Sequence, residues 1–341
     1  MRAPVESLDA RRRARQRTAG APTRRTAPVR ALPLPPPLPP APRTASATPG
    51  ELFAEGLREL WRQVNPDVIS TTSEEVAARL RRIPTQLNEY GNDPWGFDVD
   101  VMRRALVFTT LLYRKWFRVE THGIENVPDG RVLVIGNHAG QIALDAAMIG
   151  TATVLEREPP RILRAMGEYW LPTVPFVNLL MTRTGSVVGT PKNCIDLLNQ
   201  EEAVMAFPEG IRGMNKLFSE RYRLQRFGFG FMRLALATRT PIVPVAVVGS
   251  EEQAPAIANL KGLARLLGLP ALPITLTFPL LGPLGLVPLP SKYRISFGKP
   301  LRFEGNPDDE DAVIEKKVMK VVDTIQGMLD RGLRERAGIF F

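Results

Sequence analysis

Residues 132–150, VLVIGNHAGQIALDAAMIG, decide the architecture. The opening run Val132-Leu-Val-Ile135 is short, apolar and mostly β-branched, which fits a strand buried on both faces. Gly136, Asn137, His138, Ala139 and Gly140 break it, and a helical pattern follows. Strand, loop and helix in that order form one repeat of an α/β fold. In such folds the loops at the carboxyl ends of parallel strands carry the chemistry.

The same alternation extends in both directions. Candidate strands fall at residues 116–121, 132–137, 161–166, 203–207, 242–248, 274–278 and 293–297, separated by helix-length connections. The expected fold is therefore α/β. A largely parallel central sheet is flanked by helices and preceded by an N-terminal helical segment and a disordered arm. An amphipathic helix over residues 308–334 closes the chain. Upstream, residues 51–115 read as helical: a first helix over 51–63, a second beginning at Ser70-Thr-Thr-Ser-Glu-Glu and running to about Leu87, and a third over 101–116. The third places apolar residues 105–112 between Arg103, Arg104, Arg114 and Lys115. It is too short to span a bilayer, but it suits either the membrane surface or an ordinary core-facing role.

The net charge of +10 is unevenly placed. Residues 1–50 hold ten arginines against Glu6 and Asp9, so the arm carries +8 and the remaining 291 residues only +2. A nucleic-acid partner is thereby disfavoured, because such proteins usually concentrate basic charge on the folded module. Eleven of the 32 prolines also lie in the arm, which cannot bury enough apolar surface to order itself. An organelle transit peptide or an anionic lipid surface would suit its composition; a solvated tail is the simplest reading. Cys194 is the single cysteine, which excludes an intrachain disulfide and a Cys-x-x-Cys zinc site. Residues 266–290 are uncharged for long enough to span a bilayer. Six prolines argue against a spanning helix and for a strand with an apolar loop. That loop would bury in lipid, line an acyl-chain site or pack on the core. The expected location is cytoplasmic, at a membrane periphery, without a clear transmembrane helix.

Two histidines occur. His122 sits in a turn-like stretch and is assigned no role. His138 follows the buried strand, and Asp145 is the only acid between Asp129 and Glu156. A carboxylate that accepts from one ring nitrogen fixes the tautomer and leaves the other nitrogen as a general base. This is a triad without its protein nucleophile, so a substrate hydroxyl would take that part. A second constellation, Phe207-Pro208-Glu209-Gly210-Ile211-Arg212, follows the strand at 203–207 and presents a carboxylate and a guanidinium in one loop. Arginine suits bidentate capture of phosphate or carboxylate. Residues 212–239 add Lys216, Arg221, Arg223, Arg226, Arg233 and Arg239 against Glu220 alone.

The ordered set NHAGQIALD, FPEGIRG and Pro241-Ile-Val-Pro-Val245 resembles the glycerolipid and lysophospholipid acyltransferase superfamily, of the lysophosphatidate acyltransferase type. The likeness covers roughly residues 116–300. It implies transfer of an acyl group from acyl-CoA or acyl-carrier protein to a lipid hydroxyl. His138 and Asp145 would be catalytic, and Pro208, Glu209, Gly210 and Arg212 would bind substrate, with no metal or other cofactor. The membrane lipid surface and a glycerolipid acceptor would be its partners. Two departures stand out. Six residues separate His138 from Asp145 where the common motif has four, and this is more similar to the monoacylglycerol/diacylglycerol acyltransferase-like branch. The family's arginine-bearing phosphate motif has no clear counterpart; Arg183-Thr-Gly185 has the arginine on the wrong side of the glycine. A lipid esterase is the alternative, although no Gly-x-Ser-x-Gly elbow is present; a non-catalytic lipid-binding relative is another.

Overall fold

The computed structural model of the chain describes residues 65–85, 87–169, 177–260, 264 and 273–340. The arm and the expected helix over 51–63 lie outside the described residues. Nine strands are present among the described residues: β1 (Glu120–His122), β2 (Val132–Gly136), β3 (Leu163–Gly167), β4 (Val187–Val188), β5 (Ala203–Ala206), β6 (Ile242–Val248), β7 (Ala256–Asn259), β8 (Pro273–Thr275) and β9 (Arg294–Phe297). Seven form one sheet in the order β1-β9-β6-β2-β5-β3-β4. All neighbours in it are parallel except β6 and β9, which run antiparallel.

The helices are α1 (Pro66–Leu80), α2 (Val99–Leu111), α3 (Leu144–Leu155), α4 (Val177–Arg183), α5 (Pro191–Asn199), α6 (Ile211–Met214), α7 (Gly230–Thr238) and α8 (Asp311–Glu335). Alternation along the strands sorts them into two layers. Val132 and Val134 of β2 face one core, with Val76 and Leu80 of α1, Leu106 of α2 and Met148, Ile149 and Ala152 of α3. Leu133 and Ile135 face the other, with Leu197 of α5, Met232 and Leu236 of α7 and Ile314, Val318, Val321 and Ile325 of α8. Every residue of β2 and β6 is buried, as parallel strands covered on both faces require.

Several boundaries differ from the sequence expectations for local reasons. α1 begins at Pro66 because the Asn65 side chain accepts the Val68 N–H and proline occupies the first turn; the Ser70 signal falls inside the helix. α2 begins at Val99 because Asp98 caps it through the Asp100 and Val101 amides. It continues as a π-turn, Leu112–Trp116, so the strand expected from residue 116 starts at Glu120. The strand expected at 274–278 is the three-residue β8. It belongs to a separate antiparallel pair with β7, not to the central sheet. α2 packs on α1 and α3 and buries Leu106 and Thr110, while Phe108 stays exposed. No helix among the described residues is long and apolar enough to cross a membrane.

Candidate active site

The site forms at the carboxyl end of β2, beside the ends of β5 and β6. Asn137 extends the strand by a side-chain bridge: its Nδ2 donates to the Val247 carbonyl (3.1 Å), and its Oδ1 accepts the Val247 N–H (2.8 Å). That bridge ties the base of the loop to β6 and turns the next residue, His138, out of the sheet.

His138 and Asp145 meet. The imidazole Nδ1 lies 2.8 Å from Asp145 Oδ2, and the same oxygen accepts the Ala139 N–H at 2.9 Å. Asp145 Oδ1 accepts the Ala146 N–H in the first turn of α3, where the helix dipole favours an anion. Asp145 is fully buried and His138 nearly so. Burial opposes the imidazolium, but the Asp145 carboxylate outweighs it, helped by its hydrogen bond and by the charges of Glu209 and Glu168. The His138 pKa is accordingly raised above the ordinary histidine value. The Phe207 ring stacks on the imidazole, with centroids 4.3 Å apart and planes 14° from parallel. Nδ1 is held by the carboxylate and Nε2 is the ring nitrogen free of that bond, an arrangement suited to taking a proton from a bound hydroxyl.

The six-residue interval between them is absorbed by two consecutive left-handed residues, Gly140 (φ 90°) and Gln141 (φ 63°), ahead of tight turns at Ile142 and Leu144. A side chain at Gly140 is excluded: its Cβ would fall 2.1 Å from Gln253 Nε2 and 2.4 Å from the Ser250 carbonyl. Gln253 is the clamp on this loop. Its Nε2 donates to the carbonyls of Gly140 (3.0 Å) and Ile142 (3.1 Å), and its Oε1 accepts from the Tyr293 hydroxyl (2.6 Å). Tyr293 is itself fully buried, against Phe117.

Glu209 is turned inward. One carboxylate oxygen accepts the His138 N–H (3.0 Å) and the other accepts the Gln225 N–H (2.6 Å). Lys216 lies 3.7 Å from the second oxygen and 2.8 Å from Glu251, which also accepts the Tyr222 N–H. Burial, against the pull of Lys216, pushes the Glu251 carboxyl up to about 7. A buried chain of charge, Glu209–Lys216–Glu251, thus fixes the backbone of His138 from beneath. Gly213 lets α6 close on this chain, because a Cβ there would stand 2.7 Å from the His138 carbonyl. Pro208 accepts the Gly228 N–H through its carbonyl and Gly210 makes the turn. Arg212 is exposed, donating to the Arg226 carbonyl.

Of the residues singled out from sequence, His138 and Asp145 come together directly and Glu209 joins them through backbone. Pro208, Gly210 and Arg212 form the adjoining turn. Arg183 is taken up in an ion pair with the Asp98 cap at 2.7 Å. His122 stands exposed at the end of β1. Cys194 is buried, and burial pushes its thiol up to about 11. Sequence reasoning missed Gln253, Tyr293, Glu251 and the Phe207 stack, and it counted Lys216 with the anion-attracting basic residues of 212–239, whereas the structure buries it between Glu209 and Glu251. Only Phe207 and Lys216 stood inside or beside a motif. Among the described residues no cluster of three or more His, Cys, Asp or Glu is disposed to hold a metal ion.

A family model described as Acyltransferase matches residues 118–248, the span from β1 to the end of β6. An uncharacterised protein of Mycobacterium tuberculosis (strain H37Rv) is 39% identical over 296 residues, covering 84% of this chain and 82% of its own. One from Mycobacterium leprae is 39% identical over 294 residues, covering 84% and 80%. The chicken protein named DGAT1/2-independent enzyme synthesizing storage lipids is 24% identical over 233 residues, 65% of each chain. The crystal structure of the 1-acyl-sn-glycerophosphate (LPA) acyltransferase PlsC from Thermotoga maritima aligns at TM-score 0.46 and 18% identity, over 69% of this chain and 80% of that one. Residues 118–248 thus carry an acyltransferase-family domain. The distant relatives include lipid-synthesising enzymes.

Proposed function

We propose that the chain moves a fatty acyl group from the thioester of acyl-CoA or acyl-carrier protein to the hydroxyl of a glycerolipid or lysophospholipid. The observation that carries this reading is the buried His138–Asp145 pair, with Nδ1 bound to the carboxylate and, among the described residues, no serine or cysteine hydrogen-bonded to the imidazole. Nε2 of His138 takes the proton from the acceptor hydroxyl as its oxygen attacks the thioester carbonyl. Asp145 holds the ring and stabilises the imidazolium. The tetrahedral intermediate collapses with cleavage of the C–S bond, and the departing thiolate recovers the proton from His138. An ester and a free thiol result, with no acyl-enzyme. Cys194 is unsuited to carry the acyl group, being buried and shifted far from thiolate formation at neutral pH.

A neutral glycerolipid or lysolipid acceptor is favoured over glycerol phosphate. Arg183, the arginine in the interval where the family's phosphate motif belongs, is engaged by Asp98. The storage-lipid relatives support the same choice. Arg212, exposed at the mouth of the Pro208–Gly210 turn, then meets a headgroup or coenzyme phosphate. The reaction takes place at a membrane periphery. To test this, isotopically labelled acyl-CoA is incubated with the protein and a total membrane lipid extract, and the products are read by mass spectrometry. Label in a neutral glycerolipid or diacyl phospholipid, absent with His138→Ala, is expected. Release of free fatty acid without any acylated lipid would identify an esterase instead.

A further inference from the structure

The β7–β8 pair and the 3-10 turn that follows it, Gly282–Leu286, form a lobe whose polarity is inverted. Its hydroxyls point inward: Thr275 and Thr277 are buried, and Thr277 Oγ1 donates to the Gly285 carbonyl at 2.8 Å. Its aliphatic side chains point outward. Leu280 is 84% exposed, Leu284 62%, Ile257 58% and Leu286 54%. A soluble face scatters such residues singly; a cluster on one small projection marks a surface that meets something apolar. The turn is held by the hydrogen bonds of Thr275 and Thr277 to neighbouring backbone, so the leucines are presented rather than frayed.

The occupant is indicated by charge. From Gln253 to Phe303 the sequence has no Asp or Glu. Beside β7 packs the turn Phe218–Glu220, which opens onto a strip of guanidinium groups. Arg212, Arg223 and Arg226 are exposed, and Arg221 lies over the Phe218 ring. None of the four pairs with a carboxylate among the described residues. Exposed apolar side chains on this lobe, with arginines that lack a carboxylate partner on the segment packed beside β7, match an anionic bilayer: the leucines enter the acyl region and the guanidinium groups stay with the phosphates. The lobe also adjoins the site. Ala254 and Ala256 at its root line the same small cavity as Gly140 and Gln141 of the His138 loop.

We infer that this lobe and its arginine strip are the membrane-docking face, seating the His138 loop at the surface of an anionic bilayer. The inference rests on the lipid-acyltransferase reading for its purpose, but not for its test. Full-length protein is sedimented with phosphatidylcholine vesicles, with and without phosphatidylglycerol. The Leu280→Glu/Leu284→Glu double variant, whose changes touch only exposed positions, is expected to bind at least about tenfold more weakly. It should keep its circular dichroism and its acyl transfer to a detergent-dispersed acceptor. The Arg223→Glu/Arg226→Glu variant should lose the increment contributed by phosphatidylglycerol, and added salt should remove the same increment from the parent protein. Vesicle binding by the leucine variant equal to the parent's overturns the proposal. So does a leucine variant that changes only the oligomeric state, which would assign the face to a second copy of the chain. Leucine-dependent vesicle binding without turnover on any acceptor would uphold the docking face and reject the catalytic reading.

Discussion

Replacing Gln253 by alanine tests whether the long His138–Asp145 loop is held from outside its own motif. The substitution removes two hydrogen bonds to loop carbonyls and one from Tyr293. At a net value of about 1 kcal/mol each, these amount to about 3 kcal/mol. The Tyr293 hydroxyl is then stranded in a closed core, which raises the expected loss of stability to about 4 kcal/mol. Released from the clamp, Gly140 and Ile142 allow His138 to drift; a displacement of about 1 Å at a reacting group lowers turnover on the order of 10²-fold. Urea denaturation reads the first quantity, and kcat at saturating donor reads the second. Tyr293→Phe removes only the outer link, so a double-mutant cycle with Gln253→Ala should show a coupling of about 1 kcal/mol. Additivity within about 0.3–0.5 kcal/mol, or an unchanged kcat in Gln253→Ala, would refute the clamp.

Three further outcomes follow from the same geometry. On the proposed mechanism deprotonated His138 is the active form, so activity should rise with pH through a pKa above the ordinary histidine value. Asp145→Asn removes the chief raising influence and leaves burial to depress the pKa, so the acid limb of the kcat/KM profile should move to lower pH while its plateau falls. Gly140→Ala should destabilise the chain by at least about 3 kcal/mol in denaturant titrations, since it combines a positive φ with overlap on Gln253 and Ser250. Lys216→Met leaves Glu209 and Glu251 buried without their cation, at a cost of about 3–5 kcal/mol in the ionised state. Glu251 has a folded pKa raised to about 7, above that of an unfolded carboxyl. The folded state therefore binds the extra proton, and stability falls as pH rises from about 4.5 towards 7. With Lys216 gone this fall should extend to higher pH, and thermal melts at acid and alkaline pH would record the widening deficit.

The layered fold and the site's place in it are legible in residues 132–150, because a strand buried on both faces leaves no other reading for four apolar residues closed by Gly136 and Asn137. Asp145 is legible for a related reason: it is the only acid between Asp129 and Glu156, and it falls at the start of the helical pattern that follows the His138 loop. The clamp is not. Gln253 lies more than a hundred residues downstream in a corner without periodicity, and an amide that bonds loop carbonyls leaves no spacing to detect. Glu209 illustrates the other limit. Its residue type and its turn suggest contact with substrate, whereas its carboxylate is satisfied by the backbone of His138 and Gln225, partners that any residue type could supply. The strand expected at 274–278 pairs with β7, which the sequence does not announce, because strands of three and four residues carry too little alternation to reveal themselves or the sheet they join.

The central claim is that His138, oriented by Asp145, removes the acceptor proton. The direct measurement is the rate of acyl transfer by folded His138→Ala, supplied with acyl-CoA and the acceptor identified from membrane extract. A fall on the order of 10²–10⁴ relative to the parent is predicted, with the melting transition preserved. Transfer at the parent rate in that variant would contradict the account.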